Sequence, residues 1–242
     1  MKLDPKLVTR TLAIADALEE LYPEVRCELD FTTPFELLVA TILSAQCTDK
    51  RVNLVTPALF ARFPDARAMS DAPIAELEAL VRSTGFYHNK AKNIVGTARL
   101  LMERFAGAVP HTMDELLTLP GVARKTGNVI LGTAFELEDG IAVDTHVMRL
   151  SHRLGLTSEE DPVKIERDLC ALLPRARWTR TGHQIIWHGR RVCDAKAPRC
   201  DDCTLAPLCP SAFKVMKGAR PGAVAKRPVA KKPAAKRQAK KR

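Results

Sequence analysis

Apolar residues keep a helical rhythm almost from the start of the chain. Leu7, Thr11, Ile14 and Leu18 recur at the spacing of one helix face, behind an Asp4-Pro5 pair that supplies an N-cap and a proline at the first helical position. Thr33-Pro34-Phe35-Glu36 reads as a capping box, opening an apolar run that lasts to Ser44. That run is apolar nearly all round, so the helix over 33–43 belongs at the centre of a core. Segments near 49–63, 73–82, 89–105, 113–118 and 124–136 are predicted to pack about it. A second group follows over 145–154, 162–173 and 178–190. Thr112-Met113-Asp114-Glu115 is another capping box, and Pro64, Gly85 and Gly107 supply stops. No period-two alternation bounded by hairpin signals occurs, and no internal repeat. The pattern predicts an all-α chain of two helical lobes with a cleft between them.

With 242 residues the chain can bury a substantial core, as one large domain or two small ones. The first turns carry Asp4, Asp16, Glu19 and Glu20 and offer no uninterrupted apolar stretch of signal-peptide length. No run is long and apolar enough for a transmembrane helix. The expectation is therefore a cytoplasmic protein, nucleoid-associated if bacterial, whose thiols stay reduced. The formal net charge of +10 changes meaning once it is located. Twelve of the 38 basic residues lie in 214–242, a stretch without any acid, so 26 basic residues face 28 acidic ones in the rest. Any polyanion-binding face on the body must be a local patch, and the Ala-Lys-Arg-Pro tail reads as a disordered arm.

Four of the seven cysteines, Cys193, Cys200, Cys203 and Cys209, are spaced C-x6-C-x2-C-x5-C, while Cys27, Cys47 and Cys170 are scattered. Four thiolates so close together suit a [4Fe-4S] cube, which takes four cysteine ligands. Tetrahedral zinc accepts the same donors, although it favours two tight knuckles, and only Cys200 and Cys203 form one here. Both readings stand on spacing alone.

Two further segments carry chemistry. Leu119-Pro120-Gly121-Val122-Ala123-Arg124-Lys125 joins two predicted helices through a tight Pro-Gly turn. Its backbone N–H groups and the positive start of the second helix form a site for a phosphate of any sequence. Lys125 falls in the first turn of that helix, where the helix field and Arg124 are expected to disfavour its charged form and leave an amine able to act as a nucleophile. Most lysines are simply solvated. Asp144, ahead of Thr145-His146, looks first like an N-cap, though a carboxylate held at a helix start beside a cleft can also take a proton or stabilise positive charge at a sugar carbon. His146 fits a packed support better than a base.

Together the run 119–128, Val143-Asp144-Thr145-His146, Leu43-Ser44-Ala45-Gln46 with Thr48-Asp49, and the 6-2-5 cysteine spacing resemble the endonuclease III family over about residues 5–211. The resemblance implies a helix-hairpin-helix DNA glycosylase with AP lyase activity, acting on double-stranded DNA with a damaged base or an abasic site, as a monomer and without a membrane. By resemblance Lys125 attacks C1′ of a flipped nucleotide and Asp144 assists. Gln46 enters the gap left by the base, Phe86 wedges the stack, and Gly121, Ala123 and Arg124 hold the backbone. The cysteines would be ligands of a [4Fe-4S] cluster that presses Lys196 and Arg199 against phosphates, with Arg190 and Arg191 close by. Oxidised pyrimidines are the substrates this implies, cut by β-elimination through a lysine Schiff base. The implied layout is an N-terminal helix (1–28) packing with the cluster lobe, a six-helix barrel (29–137) containing the hairpin (about 113–136), a cluster domain (138–213) and the tail (214–242).

One departure is visible. The family hairpin usually reads Gly-x-Gly, and Ala123 replaces the second glycine. Alanine tolerates positive φ poorly, so weaker hairpin binding is expected, offset by the basic tail. The adenine-mismatch branch of the same fold normally lacks the lysine found at Lys125 and carries an extra C-terminal domain. A non-catalytic iron-sulfur DNA binder would not need Lys125 and Asp144 together.

Overall fold

The computed structural model describes residues 3–214, and the basic tail lies outside them apart from Lys214. Eleven α-helices are present among the described residues and no strand: α1 (Pro5–Leu21), α2 (Pro34–Leu43), α3 (Asp49–Arg62), α4 (Ala66–Ser70), α5 (Ile74–Val81), α6 (Tyr87–Phe105), α7 (Met113–Leu116), α8 (Arg124–Ala134), α9 (Thr145–Arg153), α10 (Pro162–Leu172) and α11 (Trp178–Arg191). None of the described helices is long and apolar enough to cross a membrane.

Helix starts follow local chemistry. The carboxylate of Asp4 accepts from the Lys6 N–H at 2.9 Å, and the Thr33 hydroxyl accepts from the Glu36 N–H at 3.2 Å. The Thr33 box departs from its usual form, because Glu36 Oε2 turns back to the Thr32 N–H and hydroxyl. Gly107 takes φ 84° at the end of α6, and Ala106 before it is also left-handed. The unpredicted element is α4, a five-residue helix capped by Asp65. It is too short to show an apolar period.

Two apolar cores result. The first gathers Leu29 to Leu131 around α2, where every residue from Leu37 to Leu43 is buried. Cutting a fully buried Leu37 or Leu38 there back to alanine removes about 2–5 kcal/mol of stability. The second joins Ile14, Leu18 and Tyr22 of the N-terminal segment to Ile141, Val143, α9, α10, α11 and Leu205. Helix α1 therefore packs in the lobe built by the C-terminal half. Glu19 seals it there, accepting two bonds from Arg180 and one from Gln184 of α11. Arg10 adds bonds to the backbone carbonyls of Leu154, Gly155 and Leu208.

Candidate active site

A cavity between the lobes collects residues from both. Thr41, Ser44 and Asp49 come from the end of α2 and the start of α3, and Lys125 and Val129 from α8. Asp144 comes from the cap of α9, and His183, Ile186, Trp187 and Arg190 from α11. Lys125 is exposed in this cleft and Asp144 half-buried. The two residues singled out for chemistry thus face one space.

Local folding fixes each of them. Asp144 does cap α9: its Oδ1 accepts from the N–H groups of His146 and Val147, both at 2.8 Å, and no described residue bonds Oδ2. One oxygen anchors the helix while the other is available to the cavity. His146 is a support, its Nδ1 3.1 Å from the Arg149 guanidinium, with its charged form disfavoured by burial.

The hairpin before Lys125 sits on α6. Thr97 donates its hydroxyl to the Pro120 carbonyl at 2.9 Å. Gly121 has φ 78°, and a Cβ there would stand 2.9 Å from Asn93 Nδ2, so both conformation and space demand glycine. Ala123 lies at φ −105° and ψ 171°, extended backbone that any residue adopts. The expected conformational penalty of alanine is absent. As the N-cap of α8, Ala123 offers no side-chain acceptor, which leaves the first N–H groups of that helix for an outside anion.

Arg124 is placed differently from expectation. Its Nε and Nη2 bind Glu166 bidentately at 2.8 and 2.9 Å, so its charge is already matched and directed into the second lobe. It neither presses on Lys125 as a lone like charge nor presents a free guanidinium to DNA. Arg190 and Arg191 are also occupied. Arg190 pairs with Glu28 and, at 2.7 Å, with Asp49; Arg191 meets Glu28 at 2.9 Å and lies 3.7 Å over the Trp187 ring. Lys196 is exposed, whereas Arg199 hydrogen-bonds the Arg191 carbonyl. Exposed Asp194, Asp201 and Asp202 share their loop, so that face is mixed in charge.

Gln46 and Phe86 are both exposed, with left-handed backbones at φ 52° and 49°. Phe86 is 64% exposed, which removes the core packing ordinary for a helix-end phenylalanine. Beneath it Lys90, only 4% exposed, donates to the Thr84 carbonyl at 2.7 Å, and burial lowers its pKa. Such strained, over-determined positions concentrate at functional sites.

The four clustered cysteines line one cavity with Leu150, His188 and Leu205. All seven cysteines are unbridged thiols. Four thiols facing a shared cavity fit a sulfur-ligated group. Arg153 Nη1 donates to Cys193 Sγ at 3.2 Å, a hydrogen bond of the kind that orients a sulfur ligand.

Sequence reasoning passed over the contribution of α11 to the cavity. His183, Ile186, Trp187 and Arg190 follow the i, i+3, i+4, i+7 pattern of one face, and the mixture of polar and aromatic residues on that stripe was the available signal.

Comparison with known proteins agrees with this geometry. Residues 39–175 match the family described as HhH-GPD superfamily base excision DNA repair protein. The chain is 58% identical over 203 residues to endonuclease III of Synechocystis sp., covering 84% of this chain and 93% of that one. Two solved structures superpose with a TM-score of 0.82. One, a non-covalent endonuclease III-DNA complex, is 41% identical and spans 88% of this chain and 98% of its own. The other, a trapped endonuclease III-DNA covalent intermediate with an estranged adenine, is 40% identical, at 88% and 99%.

Proposed function

The chain belongs to the HhH-GPD superfamily of base excision DNA repair proteins and acts as a DNA glycosylase and AP lyase, and we propose that Lys125 is its nucleophile and Asp144 its assisting carboxylate. The observation that carries this assignment is that both line the same interlobe cavity.

A duplex keeps its sugar C1′ out of reach of a side-chain amine, so the target nucleotide must leave the stack. The exposed Gln46 and Phe86 are suited to fill the gap and wedge the neighbouring bases. The uncapped start of α8 receives a backbone phosphate, which brings the flipped sugar to Lys125 in the first turn of that helix. The amine attacks C1′, the C1′–N bond breaks, and the base departs with the electron pair. Asp144 Oδ2 takes a proton from the attacking nitrogen and faces the positive charge that develops at C1′. The opened sugar is left as an imine on Lys125 Nζ. Its electron withdrawal acidifies C2′–H, and loss of that proton expels the 3′ phosphate by β-elimination. Oxidised pyrimidines are the proposed substrates.

Cys193, Cys200, Cys203 and Cys209 are proposed to hold a [4Fe-4S] cluster that clamps the C-terminal loop. The layout proposed with it is one lobe over about 29–137 and a cluster lobe over 138–213 joined by residues 1–28.

The test is borohydride trapping on abasic duplex DNA. A covalent adduct forms with the native chain and is lost in Lys125→Gln, whereas an adduct that persists in that variant removes the assignment. Asp144→Asn keeps an oxygen for the α9 cap, so its melting temperature should hold while base release falls by about 100-fold or more. For the cysteines, stoichiometric zinc in anaerobically purified protein would contradict the cluster.

A further inference from the structure

Glu166 is a buried carboxylate on α10, far along the chain from the reactive residues, and the steps above give it no role. It is the hub of a polar network joining three segments. Its Oε2 accepts from Arg124 Nε at 2.8 Å, and its Oε1 accepts from Arg124 Nη2 and Asn128 Nδ2, both at 2.9 Å. The same Asn128 amide nitrogen donates to the Ile141 carbonyl at 3.2 Å. Two acceptors converging on one atom fix the amide orientation.

The positions of these partners matter. Arg124 and Asn128 are four residues apart and share one face of α8, and Lys125 projects from the helix about 100° away. Glu166 therefore grips the first turn of α8 on the side that Lys125 does not use. Ile141 opens the stretch that ends in Asp144, so Asn128 ties the helix carrying the amine to the segment carrying the carboxylate. Gly140 completes the joint: a Cβ there would fall 2.0 Å from Glu166 Oε1 and 2.9 Å from Asn128 Oδ1.

We propose that Glu166, acting through Arg124 and Asn128, is a positioning residue that fixes the register between Lys125 and Asp144. The network spans both lobes and would hold the two reacting groups at constant separation when the cleft receives DNA. This inference rests on the assignment of Lys125 and Asp144 above.

The experiment compares single-turnover borohydride trapping with equilibrium binding to a duplex carrying a non-cleavable abasic analogue. Glu166→Gln retains an acceptor for Asn128 but faces Arg124 with an amide N–H and leaves its charge unmatched. Its trapping rate at saturating protein should fall by about 10- to 100-fold with affinity kept within about twofold. Arg124→Met combined with Glu166→Leu replaces the ion pair with apolar packing, a change that can preserve stability. That double variant should melt near the native temperature and still trap slowly, a split that a purely structural role does not produce. Native trapping rates in either folded variant would overturn the inference, as would a loss confined to affinity. An adduct surviving in Lys125→Gln would instead overturn the nucleophile assignment and this inference together.

Discussion

The Nε2 atom of His188 lies 3.4 Å from the sulfur of Cys203. Its Nδ1 is 3.1 Å from the Tyr22 hydroxyl, and burial drives its pKa down to about 4, so the ring is neutral at pH 7. With the tyrosine donating to Nδ1, the single N–H points at sulfur. The ring thereby joins the end of α1 to the cysteine loop. His188→Phe removes the donor and strands the Tyr22 hydroxyl, at a cost of about 1–3 kcal/mol. Thermal melts should show the loss, and visible absorbance should bleach faster under a chelator. An unchanged bleaching rate would confine His188 to packing.

Phe86 pays for its exposure with backbone strain. Phe86→Gly relieves φ 49° and gives up little buried surface, so stability should rise by about 1 kcal/mol. Affinity for an abasic duplex should fall in the same variant. Opposite signs in melting and binding are the expected outcome, and a parallel change would count against the wedge role.

Gly121 and Ala123 separate two meanings of a small residue in the hairpin. Gly121→Ala meets both a left-handed φ and the Asn93 amide, so it should lower stability by about 1–2 kcal/mol and weaken DNA binding. Ala123→Gly changes nothing the backbone needs, and DNA affinity should move by less than about twofold. Titrations of both variants against one duplex decide the comparison.

His183, in the cavity wall, has its pKa lowered chiefly by burial. The unfolded chain takes up a proton near pH 6.5, before the folded one does. Its contribution to stability is therefore complete above about pH 6.5 and is lost as pH falls toward the depressed folded value. Melting temperatures of the native chain and His183→Gln should converge as pH drops from 7 to 5. Parallel curves would show that this ring does not titrate on unfolding.

What the sequence made legible was local. The caps at Asp4, Thr33 and Asp144 were readable because a side chain answers a backbone N–H two or three residues away. The expected penalty at Ala123 failed because a motif letter does not state which glycine carries the positive φ. Arg124 was misplaced because its partner lies 42 residues on, and nothing in the local pattern names Glu166. The cavity wall from α11 shares that cause: its stripe was regular, but the surface it would meet depended on how the lobes close.

The division of the two cores also orders the birth of the molecule. Every buried residue of the first core lies between Leu29 and Leu131, so that lobe has all its parts while later helices are still being synthesised. The second core needs Ile14 from the beginning and Leu205 from close to the end of the described chain. Helix α1 must therefore wait through most of translation for its partners, exposing Ile14 and Leu18 meanwhile. A ribosome stalled anywhere between the two lobes would hold a finished first core beside an orphaned apolar helix, the species most in need of a chaperone.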